Sequence, residues 1–306
     1  MNFVLISYFI KFAYTKITLI KLNMKTYDEL IDELLELSFA EDIGDGDHTT
    51  LCCIPANEMG KSQLIIKEEG ILAGVEVALK VFNKFDPELK TTVFINDGEH
   101  VKPGDIAFVT EGRVQSLLQT ERLMLNIMQR MSGVATVTAK YMAELDGLKT
   151  KVLDTRKTTP GMRMLEKQAV KIGGGVNHRI GLFDMILLKD NHVDFSGGIK
   201  NAILKANEYI KANNKEGMKI EIEVRNLDEL NQVLEVGQVD RIMLDNFTPE
   251  LTREAVKMIE GRFETESSGG ITFATLRQYG ECGVDYISVG ALTHSTKGLD
   301  MSFKAC

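Results

Sequence analysis

Apolar residues in the segment 27–39 (YDELIDELLELSF) recur at helical spacing, which predicts an amphipathic helix. The polar, glycine-rich EDIGDGDHTT that follows predicts a loop. Between residues 61 and 112 the pattern shortens to strands: QLIIKE, the region around ILAG, TTVFIND and DIAFVTEG. DGEHVKPGD supplies Gly and Pro turn chemistry between the last two, and GVEVALKVFNKF reads as a helix among them. Residues 25–112 therefore make a small α+β unit, and 115–131 (QSLLQTERLMLNIMQRM) a long apolar-striped helix leading out of it.

From residue 150 the rhythm is strand, loop, helix. The strands are KVLD, DMILLK, KIEIEV, RIMLD, the segment near FETES, and DYISVG; the helices include GIKNAILKANEYIKA, LDELNQVLEV, TPELTREAVKMIE and TFATLRQYGEC. Alternating β and α implies parallel strands with helical crossovers. A weak repeat favours a barrel over an open sheet. Three strands begin with Asp and close five residues later: Asp184 to Lys189, Asp240 to Asp245, Asp285 to Gly290. Equivalent units place Lys189, Asp245 and Gly290 on one rim, the C-terminal rim where β/α barrels carry their chemistry. A doubly wound sheet would also use its strand ends.

The chain has 306 residues, 44% hydrophobic and 26% charged, enough for one large and one small globular domain. Its net charge of -8 repels nucleic acid and anionic membranes, so neither is expected as a partner. Any cluster of cations then needs a local reason. Cys52, Cys53, Cys282 and Cys306 form no CxxC pair and no metal-ligand spacing, which suits a reduced, cytoplasmic compartment. Residues 1–24 lack acids, and Lys11, Lys16 and Lys21 interrupt their apolar runs. That order matches neither a signal peptide nor a membrane span. The segment is expected to precede a natural start at Met24 and to lie outside the fold.

Five potentially cationic residues fall at predicted strand ends or in a glycine-rich loop: Arg156 and Lys157 in DTRKTTPG, His178 and Arg179 in GGGVNHR, and Lys189 in MILLKDNH. Gathering them costs repulsion unless an anion is bound, and the Arg fork and Lys point charge suit carboxylate and phosphate. Taken singly, each is an ordinary surface cation; the set at successive strand ends points to a ligand with several negative groups. Glu223 and Asp245 close two later strands. Rim carboxylates beside a polyanion site hold sugar hydroxyls or magnesium. Glu221 shares the face of Glu223 but lies about 7 Å deeper, where a salt bridge to a neighbouring cation is nearly as good a reading. Ser267-Ser268-Gly269-Gly270 and Gly290-Ala291 each precede a helix start, in the loops that bind phosphate in β/α barrels. Neither a GxxxxGK[ST] loop nor a GxGxxG after a strand is present.

The stretches EDIGDGDHTT, ERLMLNIMQRMSGVAT, DTRKTTPGMR, KQAVKIGGGVNHRIGLFDMILLKDNH, EIEV, IMLDNF, ESSGGI and GVDYISVGALTHS closely resemble the quinolinate phosphoribosyltransferase family, in order over about residues 27–296. DTRKT, GGGVNHR and KDNH together are highly specific to it. The resemblance implies an α/β chain: an N-terminal α/β sandwich over residues 25–133 and an open, about seven-stranded α/β barrel over 134–290, with 291–306 returning to the first unit. It implies a homodimer whose sites are shared between subunits. By matched position, Arg156, His178, Arg179 and Lys189 surround the quinolinate carboxylates, and Arg122 of ERLMLN reaches in from the partner subunit. Lys157 meets substrate phosphates or carboxylates, Glu223 and Asp245 the ribose hydroxyls and magnesium, and Ser268, Gly269 and Gly290 the 5-phosphate of phosphoribosyl pyrophosphate. Lys157, Lys189, Glu223 and Asp245 are the expected catalytic group. Arg225 stands where the family often carries an acid.

The expected activity joins quinolinate to phosphoribosyl pyrophosphate, with magnesium, and releases carbon dioxide. Two competing functions keep the same scaffold. A Schiff-base lyase or aldolase would use Lys189 as nucleophile, and a diverged relative would bind or act on another anion.

Overall fold

The computed structural model describes residues 25–306; the reading of residues 1–24 lies outside the described residues. Helix α1 (Tyr27–Ile43) is started by Thr26, whose hydroxyl accepts the Glu29 amide while the Glu29 carboxylate accepts the Thr26 amide. It runs past residue 39 through Glu41 and Asp42. The Asp47 side chain then accepts the Thr50 amide at 3.1 Å and caps α2 (His48–Cys53). The expected loop EDIGDGDHTT is therefore a short turn between two helices, because local capping outweighs the polar pattern.

Next come β1 (Met59–Ile66), β2 (Gly70–Ile71), α3 (Val75–Phe85), β3 (Lys90–Val93), β4 (His100–Val101), β5 (Ile106–Arg113) and α4 (Val114–Glu144). At 31 residues, α4 spans about 46 Å. Its apolar stripe fades after residue 131 because Ser132 to Thr136 are buried regardless of type. Thr136 and Thr138 satisfy their hydroxyls on the helix carbonyls of Ser132 and Val134. Gly133 allows another chain segment to cross here: a Cβ would lie 2.2 Å from the Lys297 carbonyl oxygen.

The larger unit contains β6 (Lys151–Leu153), α5 (Arg163–Ile172), β7 (Met185–Leu188), α6 (Asp190–Ser196), α7 (Ile199–Ala212), β8 (Lys219–Val224), α8 (Leu227–Val236), β9 (Arg241–Asp245), α9 (Pro249–Ile259), β10 (Glu264–Ser268), α10 (Phe273–Gly280), β11 (Tyr286–Ser288) and α11 (Ala291–His294). A final strand, β12 (Met301–Ala305), follows. The parallel sheet runs β6-β11-β10-β9-β8-β7, and Val176 adds a parallel bridge to Leu153 on the free edge of β6. The order is cyclic in chain sequence, with the last strand beside the first. Among the described residues no ladder joins Val176 to β7.

The repeated aspartates have a mechanical reason. Asp240 accepts the Ile220 amide at 2.7 Å and Asp285 the Thr265 amide at 2.9 Å, each clamping the start of the neighbouring strand. Asp184 instead closes its own loop by accepting the amides of Ile180 and Gly181.

The N-terminal unit is an antiparallel sheet ordered β12-β1-β5-β3. The C-terminal strand thus returns to the first unit and pairs with β1 from Ala305 to Met301. Phe303 packs 6.0 Å from Phe82 and 6.2 Å from Phe108, centroid to centroid. Burying each such ring contributes about 1.5–3 kcal/mol, which helps tie the chain's end into this core.

Candidate active site

The C-terminal ends of the parallel strands bring most of the sequence-predicted residues to one mouth. Strand β8 carries Glu221 and Glu223 on its inward face, two residues apart. Glu223, 6% exposed, lies 2.8 Å through Oε2 from Nζ of Lys189, which follows β7. Asp245 closes β9. Burial, and then the neighbouring Glu223 carboxylate, push its carboxyl above the usual range, while Lys189 pulls it back. Three groups read separately from the sequence therefore face one another.

The loop after β6 presents Arg156 and Lys157, both exposed. Burial, and after it the Arg156 guanidinium, holds Arg179 below the ordinary arginine range, and its Nη1 donates to the Met185 carbonyl at 3.2 Å. Lys157 lies against Gly290: its Cδ is 3.3 Å from where a Gly290 Cβ would stand, and its carbonyl accepts the Thr293 hydroxyl at 2.9 Å. Gly269 is built into a tight turn at φ +96, where a Cβ would fall 2.2 Å from Oδ1 of Asn246. Asn246 in turn donates through Nδ2 to Asp245 at 2.6 Å and through its amide to the Ser268 carbonyl at 2.9 Å. The small-residue loop after β10 is thus locked to the end of β9.

Arg122 is placed elsewhere on this chain. It is exposed on α4 and lines a cleft of about 420 Å3 with Leu34, Ser38, Glu41, Asp42 and Asn126. Among the described residues no contact joins it to the other cations.

Several supporting residues escaped the sequence reading. Asp154, fully buried at the end of β6, accepts from the Lys167 ammonium, the Asn177 side-chain amide and, at 2.9 Å, the His178 backbone amide. Lys167, 1% exposed on α5, also donates to the His178 carbonyl at 3.1 Å. The far end of the Arg156 loop is held by Glu166, which accepts the Thr159 amide at 3.1 Å and pairs with Arg130 at 2.7 Å. The available signal was two charged residues, Glu166 and Lys167, beside the apolar Leu165, Ala169 and Val170 of α5; charges buried there need partners. Arg225, the departure noted in the sequence, ties Asp194 of α6 to Glu229 of α8 on the surface.

Comparison with known proteins decides the family. The quinolinate phosphoribosyl transferase N-terminal domain matches residues 47–132 and the corresponding C-terminal domain residues 134–304. The chain belongs to this family. Among similar relatives, a tobacco (Nicotiana tabacum) quinolinate phosphoribosyltransferase [decarboxylating] 1b is 44% identical over 294 residues, covering 91% of this chain and 83% of its own. A probable nicotinate-nucleotide pyrophosphorylase [carboxylating] of Bacillus subtilis is 40% identical, covering 89% and 92%. The solved nicotinate-nucleotide pyrophosphorylase of Francisella tularensis superposes with TM-score 0.85 at 39% identity, covering 93% of this chain and all of the other. The family match thus covers both sheet units and the rim that joins their chemistry.

Proposed function

We propose that the chain is a carboxylating nicotinate-nucleotide diphosphorylase: it transfers the phosphoribosyl group of phosphoribosyl pyrophosphate to quinolinate, releasing pyrophosphate and carbon dioxide. The observation that carries this reading is a cationic half, Arg156, Arg179 and Lys189, and an acidic half, Glu223 and Asp245, on the C-terminal rim of one parallel sheet, in a chain of net charge -8. Two polyanionic substrates held side by side account for both halves.

In this assignment Arg156, Arg179 and Lys189 hold the pyridine dicarboxylate over the buried His178 ring, and Arg122 completes the set from the second subunit of a homodimer. Lys157 meets the phosphates. The Gly269 turn and Gly290, with Ser268, cradle the 5-phosphate through backbone amides. As the C1–pyrophosphate bond breaks, the anomeric carbon becomes cationic, and the Glu223 and Asp245 carboxylates stabilise it electrostatically. The pyridine nitrogen forms the new bond to C1. The bond from C2 to its carboxylate then breaks, its electron pair stays on C2 beside the pyridinium, and a proton joins there. Positioning and charge do most of this work.

Glu223 and Asp245 are oxygen donors whose mutual repulsion a hard divalent cation would relieve, so they fit magnesium, which would offset substrate phosphate charge. A Schiff-base role for Lys189 fits less well, since its ammonium is engaged by Glu223 rather than alone in an apolar pocket. No helix among the described residues is long and apolar enough to cross a membrane. The cytoplasmic reading draws on cysteines that form no disulfide among the described residues; plant relatives carry chloroplastic or mitochondrial in their names.

The direct test mixes quinolinate, phosphoribosyl pyrophosphate and magnesium with the full chain and measures nicotinate mononucleotide and carbon dioxide in equal amounts. Absence of both products rejects the assignment. Gly269→Ala is expected to raise the KM for phosphoribosyl pyrophosphate more than that for quinolinate. The added methyl forces Asn246 and the turn apart, at a cost of about 1–3 kcal/mol. Equal shifts in both KM values would remove the turn from the phosphate site.

A further inference from the structure

We propose that Glu221 is the positioning residue for His178: it receives the single imidazole N–H and fixes the ring beneath the pyridine dicarboxylate, a role that rests on the phosphoribosyl-transfer reading. The imidazole is constrained from two sides. Its Nδ1 accepts the backbone N–H of Arg179 at 2.7 Å, so Nδ1 presents a lone pair. A ring with one proton must then carry it on Nε2. Nε2 lies 2.8 Å from Oε2 of Glu221 and 3.5 Å from Oε2 of Glu266, and no other acceptor reaches it among the described residues. The 2.8 Å approach falls short of hydrogen-bond alignment, and both Glu221 oxygens have no other hydrogen-bond partner among the described residues. Burial, aided by Arg241, Lys167 and Arg179 against the pull of Glu266, holds the ring below its usual pKa and therefore neutral.

The ligand atoms of His178, Glu221 and Glu266 lie within 4.8 Å of one another, a spacing a metal ion could use. The tautomer argues otherwise, because a protonated Nε2 has no lone pair to give. Arg241 already supplies a cation, with Nη1 3.3 Å from Glu266. What remains is a carboxyl–imidazole pair sunk below the substrate mouth, where burial raises the Glu221 carboxyl and, with Glu221 beside it, pushes Glu266 up to about 8. Glu221 is fully buried, one inward position beneath Glu223 on β8. The strand that carries the mouth carboxylate thus also carries the support for the histidine. An outer partner of this kind fixes the tautomer and orientation of a binding imidazole, and its loss costs roughly 10–100-fold where measured at metal sites.

The test combines nitrogen-15 NMR of histidine-labelled enzyme with steady-state kinetics. The wild-type chain is expected to show His178 as the Nε2–H tautomer with an imidazole proton protected from exchange. Glu221→Leu should remove that protection and raise the KM for quinolinate about tenfold or more, with the KM for phosphoribosyl pyrophosphate little changed. Glu221→Gln, whose amide oxygen also accepts, should restore most of both. An Nδ1–H tautomer in the wild type, parallel rises in both KM values, or a Gln variant as impaired as the Leu variant overturns the proposal. Should Glu221→Leu fail to fold, the tautomer and proton exchange in the wild type and Glu221→Gln decide. A wild-type chain that makes no nicotinate mononucleotide refutes the function while the NMR result still judges Glu221.

Discussion

Replacing Arg156 with alanine is expected to lower kcat/KM by two to four orders of magnitude while leaving the thermal midpoint nearly unchanged. The guanidinium is exposed and belongs to no ion pair among the described residues, so the fold gains little from it. Its proposed work is on the ligand. Two charge-assisted hydrogen bonds to a carboxylate contribute about 1.5–3 kcal/mol each, and each 1.4 kcal/mol is about tenfold in rate. Arg156→Lys should recover only part of the loss, since an ammonium cannot reproduce the bidentate fork. The measurement is steady-state kinetics with each substrate varied, alongside a melting curve. Wild-type turnover in Arg156→Ala would remove the residue from the site.

Asp154→Ala is expected to act the other way round, through the fold first. The carboxylate is fully buried and is the counter-charge for a Lys167 ammonium that is 1% exposed. Removing one partner of a buried pair costs about 3–5 kcal/mol, because the other is left uncompensated. For a chain of this size the thermal midpoint should fall on the order of 10 °C. The double replacement Asp154→Leu with Lys167→Met should recover much of that stability, as buried pairs often can be exchanged for apolar residues. It should not recover activity. Asp154 also accepts the His178 amide and the Asn177 side chain, and Lys167 holds the His178 carbonyl. A double variant both stable and fully active would show that the pair does not position the loop.

Much of this site was legible in the sequence for a specific reason. Strand ends are marked by the change from an apolar run to a polar residue, as at Leu188-Lys189 and Leu244-Asp245, and parallel strands put those ends on one rim. Capping was less legible. The stretch from Glu41 to Thr50 read as a loop because its composition is polar, yet α1 runs into it as far as Ile43 and Asp47, accepting the Thr50 amide, starts α2 within it. Helix α5 went unread because four of its ten residues are charged, and two of them, Glu166 and Lys167, are buried beside its apolar positions. The same burial makes these residues useful: each holds one end or neighbour of the cationic loops.

The sequence by itself determined the strands of the parallel sheet and most helices between them, the identity of the rim cations and acids, and the family, because these depend on local periodicity and on short motifs. Only the tertiary structure decided that β12 returns to the N-terminal sheet, that Lys189 pairs with Glu223, and that Arg122 stands apart from the other cations on this chain. It alone revealed how the buried polar groups Asp154, Lys167, His178 and Glu221 meet under the mouth. The physical reason is range: a hydrophobic period is written within one turn or strand, whereas the partner that makes a buried charge tolerable can come from any segment the fold brings within about 3–4 Å.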